Sequence, residues 1–210
     1  AIKGKIFHVW GYVTLENGTG ADGAQVEILL KVNKTDEGGI QVGLGMTEAD
    51  GYYNISCEAL TQLQVGDYQL IAHTLPSGLY DESWSDPPIR IVDEIAVEVD
   101  KPDKVFRGKR VGFGATLIEN STGVPVVNKE VEITLDGRRE NLTTDNRGRL
   151  YFRHKFNEEG KKNVTINVPD SDYYIGTNTT FGVAVAIQPT NFLTLITTFP
   201  YSVILVSGIA

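Results

Sequence analysis

Hydrophobic residues in this chain come in short alternating runs, broken by glycine, asparagine, aspartate and proline. That is the period-2 pattern of β-strands, with apolar side chains on one face and polar ones on the other. Residues 24–32 show it best, where Val26, Ile28 and Leu30 alternate with Gln25, Glu27 and Leu29. The same pattern predicts strands at 5–15, 40–46, 52–57, 68–73 and from 89 to 92. Ile6, Val9 or Trp10, and Val13 are the expected core contacts of the first, and Tyr68, Leu70 and Ala72 share one face of the fifth. Residues 77–88 read as a loop carrying Tyr80 and Trp84. No stretch before residue 192 has a helical period.

Two polar stops punctuate the pattern: T-E-A-D-G-Y-Y at 47–53 and T-D-N-R-G-R-L-Y at 144–151. Each holds a glycine able to take the positive φ of a tight turn, and each is expected to close a β-hairpin. Their surroundings repeat as well. Glu119-Asn120-Ser121-Thr122-Gly123 matches Glu16-Asn17-Gly18-Thr19-Gly20, and Lys129-Glu130-Val131-Glu132-Ile133 matches Gln25-Val26-Glu27-Ile28 with one residue more. Gly148 falls on Gly51, and Asp172-Tyr173-Tyr174 falls on Gly78-Leu79-Tyr80. A duplicated unit follows: all-β, two tandem antiparallel sandwich domains at 1–93 and 105–188, a linker at 94–104, and an apolar tail at 189–210. Within the linker, Ile95, Val97 and Val99 alternate with acids, so it is expected to run extended into the second domain and limit bending.

The turn 17–20, Gly23-Ala24-Gln25-Val26, the stretch 47–53, Val65-Gly66-Asp67-Tyr68 and Ser83-Trp84-Ser85-Asp86-Pro87 together resemble the Ig-like, transthyretin-like (carboxypeptidase-regulatory-like) sandwich modules of archaeal cell-surface proteins. The resemblance spans residues 1 to about 187. It implies an Ig-like fold and a spacer or binding scaffold. Some such proteins also carry transglutaminase-like domains, but no Cys-His-Asp set stands here, and that activity is not implied.

Composition sharpens the compartment. Seven N-x-S/T sequons, at Asn17, Asn33, Asn54, Asn120, Asn141, Asn163 and Asn178, are the candidate glycan attachment points of an exported, extracellular surface protein. The start at Ala1 without an initiator methionine fits a processed product or a fragment. Cys57 is the single cysteine and reads as a small buried apolar residue. The formal charge of −8 is uneven: residues 1–93 hold 5 basic and 13 acidic residues, whereas residues 94–210 hold 14 of each. Arg147 and Arg149 occupy the second turn where Glu48 and Asp50 flank the first. Such a charge run is most often a solvated face; the sharper reading is that an acidic first domain meets a basic second domain of a neighbour, head to tail. An acidic chain without exposed stacking aromatics among its cations is not expected to bind nucleic acid.

Residues 192–210 hold no charge. Nineteen uncharged positions are close to the roughly 20 that span a bilayer, yet Pro200 and many β-branched residues suit a strand. Three readings stand: a membrane segment, a strand donated to a neighbouring subunit, or packing on its own domain. Phe192, Leu193, Leu195, Ile196, Phe199, Tyr201, Val203 and Leu205 are the subunit-contact candidates, with Arg147 and Arg149. No catalytic motif and no metal site is read from the sequence. His8, His73 and His154 lack partners at ligand spacing and are expected on strand surfaces, and the acidic pairs Asp36-Glu37, Asp81-Glu82 and Asp93-Glu94 are weak Ca²⁺ candidates. No other cofactor is expected. The function implied is a non-enzymatic surface stalk or self-assembling subunit; the alternative is a membrane-anchored module binding a ligand through the loops around Tyr80 to Trp84.

Overall fold

The computed structural model describes residues 1–32 and 38–188. Sixteen strands follow in order: β1 (Ile6–Tyr12), β2 (Gln25–Lys31), β3 (Ile40–Met46), β4 (Tyr52–Glu58), β5 (Gly66–Thr74), β6 (Ser83–Ser85), β7 (Pro88–Ile91), β8 (Asp93–Asp100), β9 (Val105–Phe106), β10 (Arg110–Glu119), β11 (Glu130–Leu135), β12 (Arg138–Thr143), β13 (Arg149–Lys155), β14 (Gly160–Val168), β15 (Tyr174–Ile175) and β16 (Thr177–Ala186). Among the described residues there is no helix. Alternation sets which face each strand buries. In β2 the odd-even pattern places Val26, Ile28 and Leu30 in the core, and in β11 it places Val131, Ile133 and Leu135 there.

The strands build two Ig-like β-sandwiches. In the first, β1 pairs with β4, and facing them lies the sheet β3-β2-β5-β6, with β7 also on β5. In the second, β13-β10-β8-β15 faces β12-β11-β14-β16-β9. Each sandwich has its own core. Val26, Ile28, Leu30, Ile55, Cys57 and Ile91 anchor the first, and Phe113, Leu117, Phe156, Val164 and Ile166 the second. Phe113 packs against Phe152, Phe156 and Phe181; full burial of such a side chain is worth about 1.5–3 kcal/mol.

The repeated turns are not hairpins. β3 pairs with β2 whereas β4 pairs with β1, and β12 pairs with β11 whereas β13 pairs with β10. Residues 47–51 and 144–148 therefore carry the chain from one sheet across to the other. The same hydrogen bonds fix both corners. The Thr47 hydroxyl accepts from the Ala24 amide and donates to the Ala21 carbonyl; the Thr144 hydroxyl accepts from the Lys129 amide and donates to the Val126 carbonyl. Val13 N–H donates to Gly51 O, and Leu117 N–H to Gly148 O. Ala24 therefore aligns with Lys129, which makes Lys129 the extra residue of the sequence match. Gly51 at φ 82° and Gly148 at φ 70° are left-handed, and a Cβ on either would run into a backbone carbonyl oxygen, that of Val13 or of Leu117.

Three further sequence expectations change. Residues 94–104, read as a linker running extended into the second domain, are extended but belong to that domain: β8 pairs with β10 along six residues, and Ile95 is buried in the second core. Ile6 and Trp10 are 71% and 68% exposed, because the inward face of β1 is Phe7, Val9 and Gly11. The loop at 77–88 contains β6, which pairs with the end of β5.

The second sandwich closes one edge of β10 with β8, while among the described residues β1 has β4 on one side and no strand on the other. Phe7, Val9 and Val13 are in consequence only half-buried, where Phe113, Ala115 and Leu117 of β10 are buried. Gly51→Ala and Gly148→Ala are each expected to cost about 2 kcal/mol or more in denaturant unfolding, since both strain and overlap oppose the new methyl; unchanged midpoints would show that the corners relax freely.

Candidate functional site: the joint between the sandwiches

The chain passes from β7 to β8 with Val92 alone between them. Residues ahead of β1 lie beside this crossing. Ile2 forms a parallel bridge with Val92, Lys3 N–H donates to Val92 O at 2.9 Å, and Val92 N–H donates to Ala1 O at 2.9 Å. This register sets the Lys3 side chain next to Asp93 and aims it into the second sandwich, where it meets Glu119 at the end of β10.

Lys3 is 4% exposed, Asp93 1% and Glu119 7%. The Lys3 ammonium lies 2.7 Å from Glu119 Oε2 and 3.5 Å from Asp93 Oδ2. Charges this deep are tolerated only when paired and fully hydrogen-bonded, and the surroundings supply the remaining donors. Glu119 accepts from the Thr122 hydroxyl at 2.7 Å and the Tyr174 hydroxyl at 3.1 Å. Asp93 accepts from the Glu94 amide at 2.8 Å and from the Ser121 hydroxyl. Burial works against ionisation of Glu119, but the bonds from Lys3, Thr122 and Tyr174 outweigh it and hold the carboxyl below its ordinary range. Burial first, and then the Glu119 charge, push the Tyr174 phenol up to about 12.

An exposed set of contacts flanks this centre. Arg90 and Asp67 of the first sandwich pair at 2.7 Å, the Tyr173 hydroxyl of the second donates to Asp67 at 3.2 Å, and the Arg90 guanidinium lies 5.4 Å from the Tyr173 ring centre. Lys5 reaches Glu94 at 3.7 Å, while Asn120 donates its backbone amide to Glu94 O at 2.9 Å and its side-chain amide to Glu94 Oε2 at 3.3 Å. The bonds therefore come from both bodies and from the crossing strand, which opposes hinge motion about Val92.

Of the residues singled out from sequence, Asn120 and the acidic pair Asp93-Glu94 belong to the joint, where the pair faces Lys3 and Lys5; the others lie elsewhere. Asn17, Asn54, Asn120, Asn141, Asn163 and Asn178 are all exposed, and Asn120 belongs to the joint. Arg147 and Arg149 are exposed, and their backbone amides, not their guanidinium groups, serve the corner by holding the Asp145 carboxylate; the amide of Arg149 and then that of Arg147 keep its pKa below the usual value. Asn33, the pair Asp36-Glu37 and the contact candidates Phe192, Leu193, Leu195, Ile196, Phe199, Tyr201, Val203 and Leu205 lie outside the described residues.

His73 is not a strand-surface residue. It is buried, bonded to Glu27 at 2.7 Å through Nδ1 and to Glu82 at 3.3 Å through Nε2, and stacked on Trp84 at 3.4 Å between ring centres. The two carboxylates sit on opposite ring nitrogens, so they do not converge on one point, and among the described residues no group of three His, Cys, Asp or Glu side chains is placed to hold a metal ion. Cys57 is buried, with its thiol pushed up to about 11 by desolvation. Sequence reasoning singled out Asp93 only as half of a Ca²⁺ candidate pair and Glu119 only as a turn match, and missed Lys3 and the meeting of the three, because they are far apart in the chain.

No family model and no curated protein matches this chain. Among solved structures, the D0-D1 domain of intimin is similar with a TM-score of 0.31 at 17% identity, covering 86% of this chain and 92% of that one. Invasin, a bacterial integrin-binding protein, gives 0.41 at 16% identity over 90% of this chain and 37% of that one. The fibronectin(III)-like modules of Clostridium thermocellum CbhA give 0.33 at 15% identity over 88% and 87%. At these scores the fold class rests on the strand pairing itself.

Replacing Lys3 with the similarly long but neutral methionine leaves two buried carboxylates without their cation. Lys3→Met is expected to destabilise the chain by about 3 kcal/mol or more, read by chemical unfolding; a loss below about 1 kcal/mol would mean that the joint is solvated and not the closed network seen here.

Proposed function

We propose that the chain is a non-enzymatic spacer of an exported surface protein, in which two sandwiches are held in fixed relative orientation to carry a neighbouring module or assembly at a set distance from the cell. The single observation that supports it most is the joint: a one-residue connection clamped by a buried charge network and by parallel backbone bonding on both sides of Val92. A flexible tether needs none of this, and its polar linkers leave orientation free. The six exposed sequon asparagines support a glycosylated surface, and the resemblance of the sequence to archaeal surface modules supports an extracellular setting.

Spin labels at Asn54 on β4 and Asn163 on β14, both exposed, report the relation between the bodies without touching the joint. A single narrow distance distribution is expected, broadening in Glu119→Gln. A distribution already broad in the parent chain would remove the spacer reading.

A second reading, self-assembly, is favoured by the open edge of β1. Between that edge and β6 lies a cavity of about 250 Å³ lined by uncharged residues that include Tyr12, Val13, Tyr53, Thr74, Ser83 and Trp84. Unpaired edges of this kind accept an added strand, and repetition from one copy to the next would give an open filament. Under this reading Tyr12→Lys, which puts a charge on the exposed lining of that cavity, abolishes concentration-dependent sedimentation of the full chain while leaving it folded. Assembly that survives in the folded variant would place the contact elsewhere.

A further inference from the structure

The outer face of the two-stranded sheet β1-β4 carries large side chains that nothing among the described residues covers. Trp10 and Tyr12 stand outward from β1, 68% and 62% exposed, with Ile6 in the same row; an exposed apolar row of this kind marks a contact. β4 sends Tyr52, Asn54 and Ser56 to the same side. The register sets Trp10 opposite Asn54 and Tyr12 opposite Tyr52, the two tyrosine rings 5.3 Å apart between centres. Asn54 is also the acceptor of the sequon Asn54-Ile55-Ser56. Directly opposed side chains on one face have Cβ atoms about 4.5–5.5 Å apart, and residues two apart along a strand lie about 7 Å apart. A sugar carried on the Asn54 side chain therefore starts between the Trp10 indole and the Tyr52 ring.

The second sandwich supplies the comparison. Val13 and Leu117 make equivalent bonds to Gly51 and Gly148, so Trp10 falls on Gly114, Tyr12 on Thr116 and Asn54 on Tyr151. The β10 aromatics and the sequon are absent there together. Tyr151 instead lies down across Gly112 of its own sheet, with the Arg153 guanidinium 5.5 Å from its ring centre. The other sequons among the described residues lack such a setting: Asn141 is opposite Glu132, Asn163 opposite Gly182 and Asn178 opposite Asn167, while Asn17 and Asn120 lie in turns. Acceptor and bare aromatic surface thus meet at one place.

We propose that Asn54 is glycosylated and that its first sugar packs on Trp10 and Tyr52, so that the chain's own glycan covers this face. The co-reactant is an oligosaccharide linked to a polyprenyl phosphate or pyrophosphate, transferred by a sequon-reading enzyme while the exported chain is still unfolded. Asn54 Nδ2 bonds to C1 of the first sugar. The bond from C1 to the lipid phosphate oxygen breaks, its electron pair leaves on the phosphate, and one amide proton passes to a base of the transferase. Once β4 pairs with β1, the C–H face of the sugar ring meets the electron-rich face of the indole, and its hydroxyls stay in water. A ring in contact with both strands ties together a sheet that has only two of them. The inference rests on the exported, glycosylated part of the proposed function and deepens it.

The test uses the full chain secreted from a host whose N-linked glycans begin with N-acetylglucosamine, trimmed enzymatically to that first sugar. Peptide mass is expected to show the sugar on Asn54. Thermal unfolding is expected about 2–4 °C above that of Asn54→Gln from the same host, the shift a single ring contact gives a chain of this length. In Trp10→Ala, which changes only an exposed side chain, that difference falls to less than half. Asn163→Gln, which removes a sequon facing no aromatic, leaves the midpoint unchanged. Upfield-shifted ring protons of the sugar, returning to their free positions in Trp10→Ala, report the stacking without reference to stability. An unmodified Asn54, an equal difference in Trp10→Ala, or association of the glycosylated chain that Trp10→Ala abolishes overturns the proposal, the last by making a second copy the occupant. Label distances between the sandwiches are read on chain that carries no glycan, so failure of the sugar contact leaves the spacer standing.

Discussion

The arrangement of the whole chain depends on three charges being removed from water together. Lys3, Asp93 and Glu119 come from the start of the chain, the crossing between the sandwiches and the end of β10, and none can be buried without the other two. The network is demanding in geometry. An isolated buried ion costs several kcal/mol, so any rotation that separates the two bodies exposes the price at once, whereas a hydrophobic contact would let them slide. Its polar partners, Thr122, Ser121 and Tyr174, all belong to the second sandwich, so within the buried network the first contributes a single lysine inserted into a prepared socket.

That socket exists because the two sandwiches are the same device used twice with different ends. The corner threonines Thr47 and Thr144 make the same pair of bonds, and Gly51 and Gly148 take the same backbone shape. The chain leaves both bodies at equivalent places: Ile91 is opposite Gly66 in the first as Val185 is opposite Gly160 in the second. In the first case the segment that follows becomes β8 and completes the next sandwich. The first sandwich has no such strand among the described residues, which explains both the open edge of β1 and the half-buried Phe7, Val9 and Val13.

Charge placement tells a quieter story than composition suggested. The contrast between Glu48 and Asp50 on one corner and Arg147 and Arg149 on the other is real in sequence, yet the corner uses only the backbone of the arginines, gathered on Asp145. Their side chains remain exposed and unassigned. His73 moved the other way: a residue with no partner in its own sequence neighbourhood acquires Glu27, Glu82 and Trp84 because strands β2, β5 and β6 lie side by side.

The sequence by itself determined the class of structure. Alternation in residues 24–32 fixed which side chains of β2 face inward, and the repeated Thr-to-Gly corner fixed the duplication, because both are consequences of local backbone geometry with short memory along the chain. It could not determine what those corners join. Whether Gly51 turns a strand back on its neighbour or sends it to the opposite sheet is decided by which strand β1 and β2 have already claimed, a matter of pairing partners 20 to 45 residues away. It could not place Lys3 either, since a lysine three residues into the chain looks like any solvated charge until Asp93 and Glu119 are brought to it. Only the tertiary structure supplies that meeting, and with it the one site where buried charge, and not hydrophobic pattern, fixes the relation between the two halves.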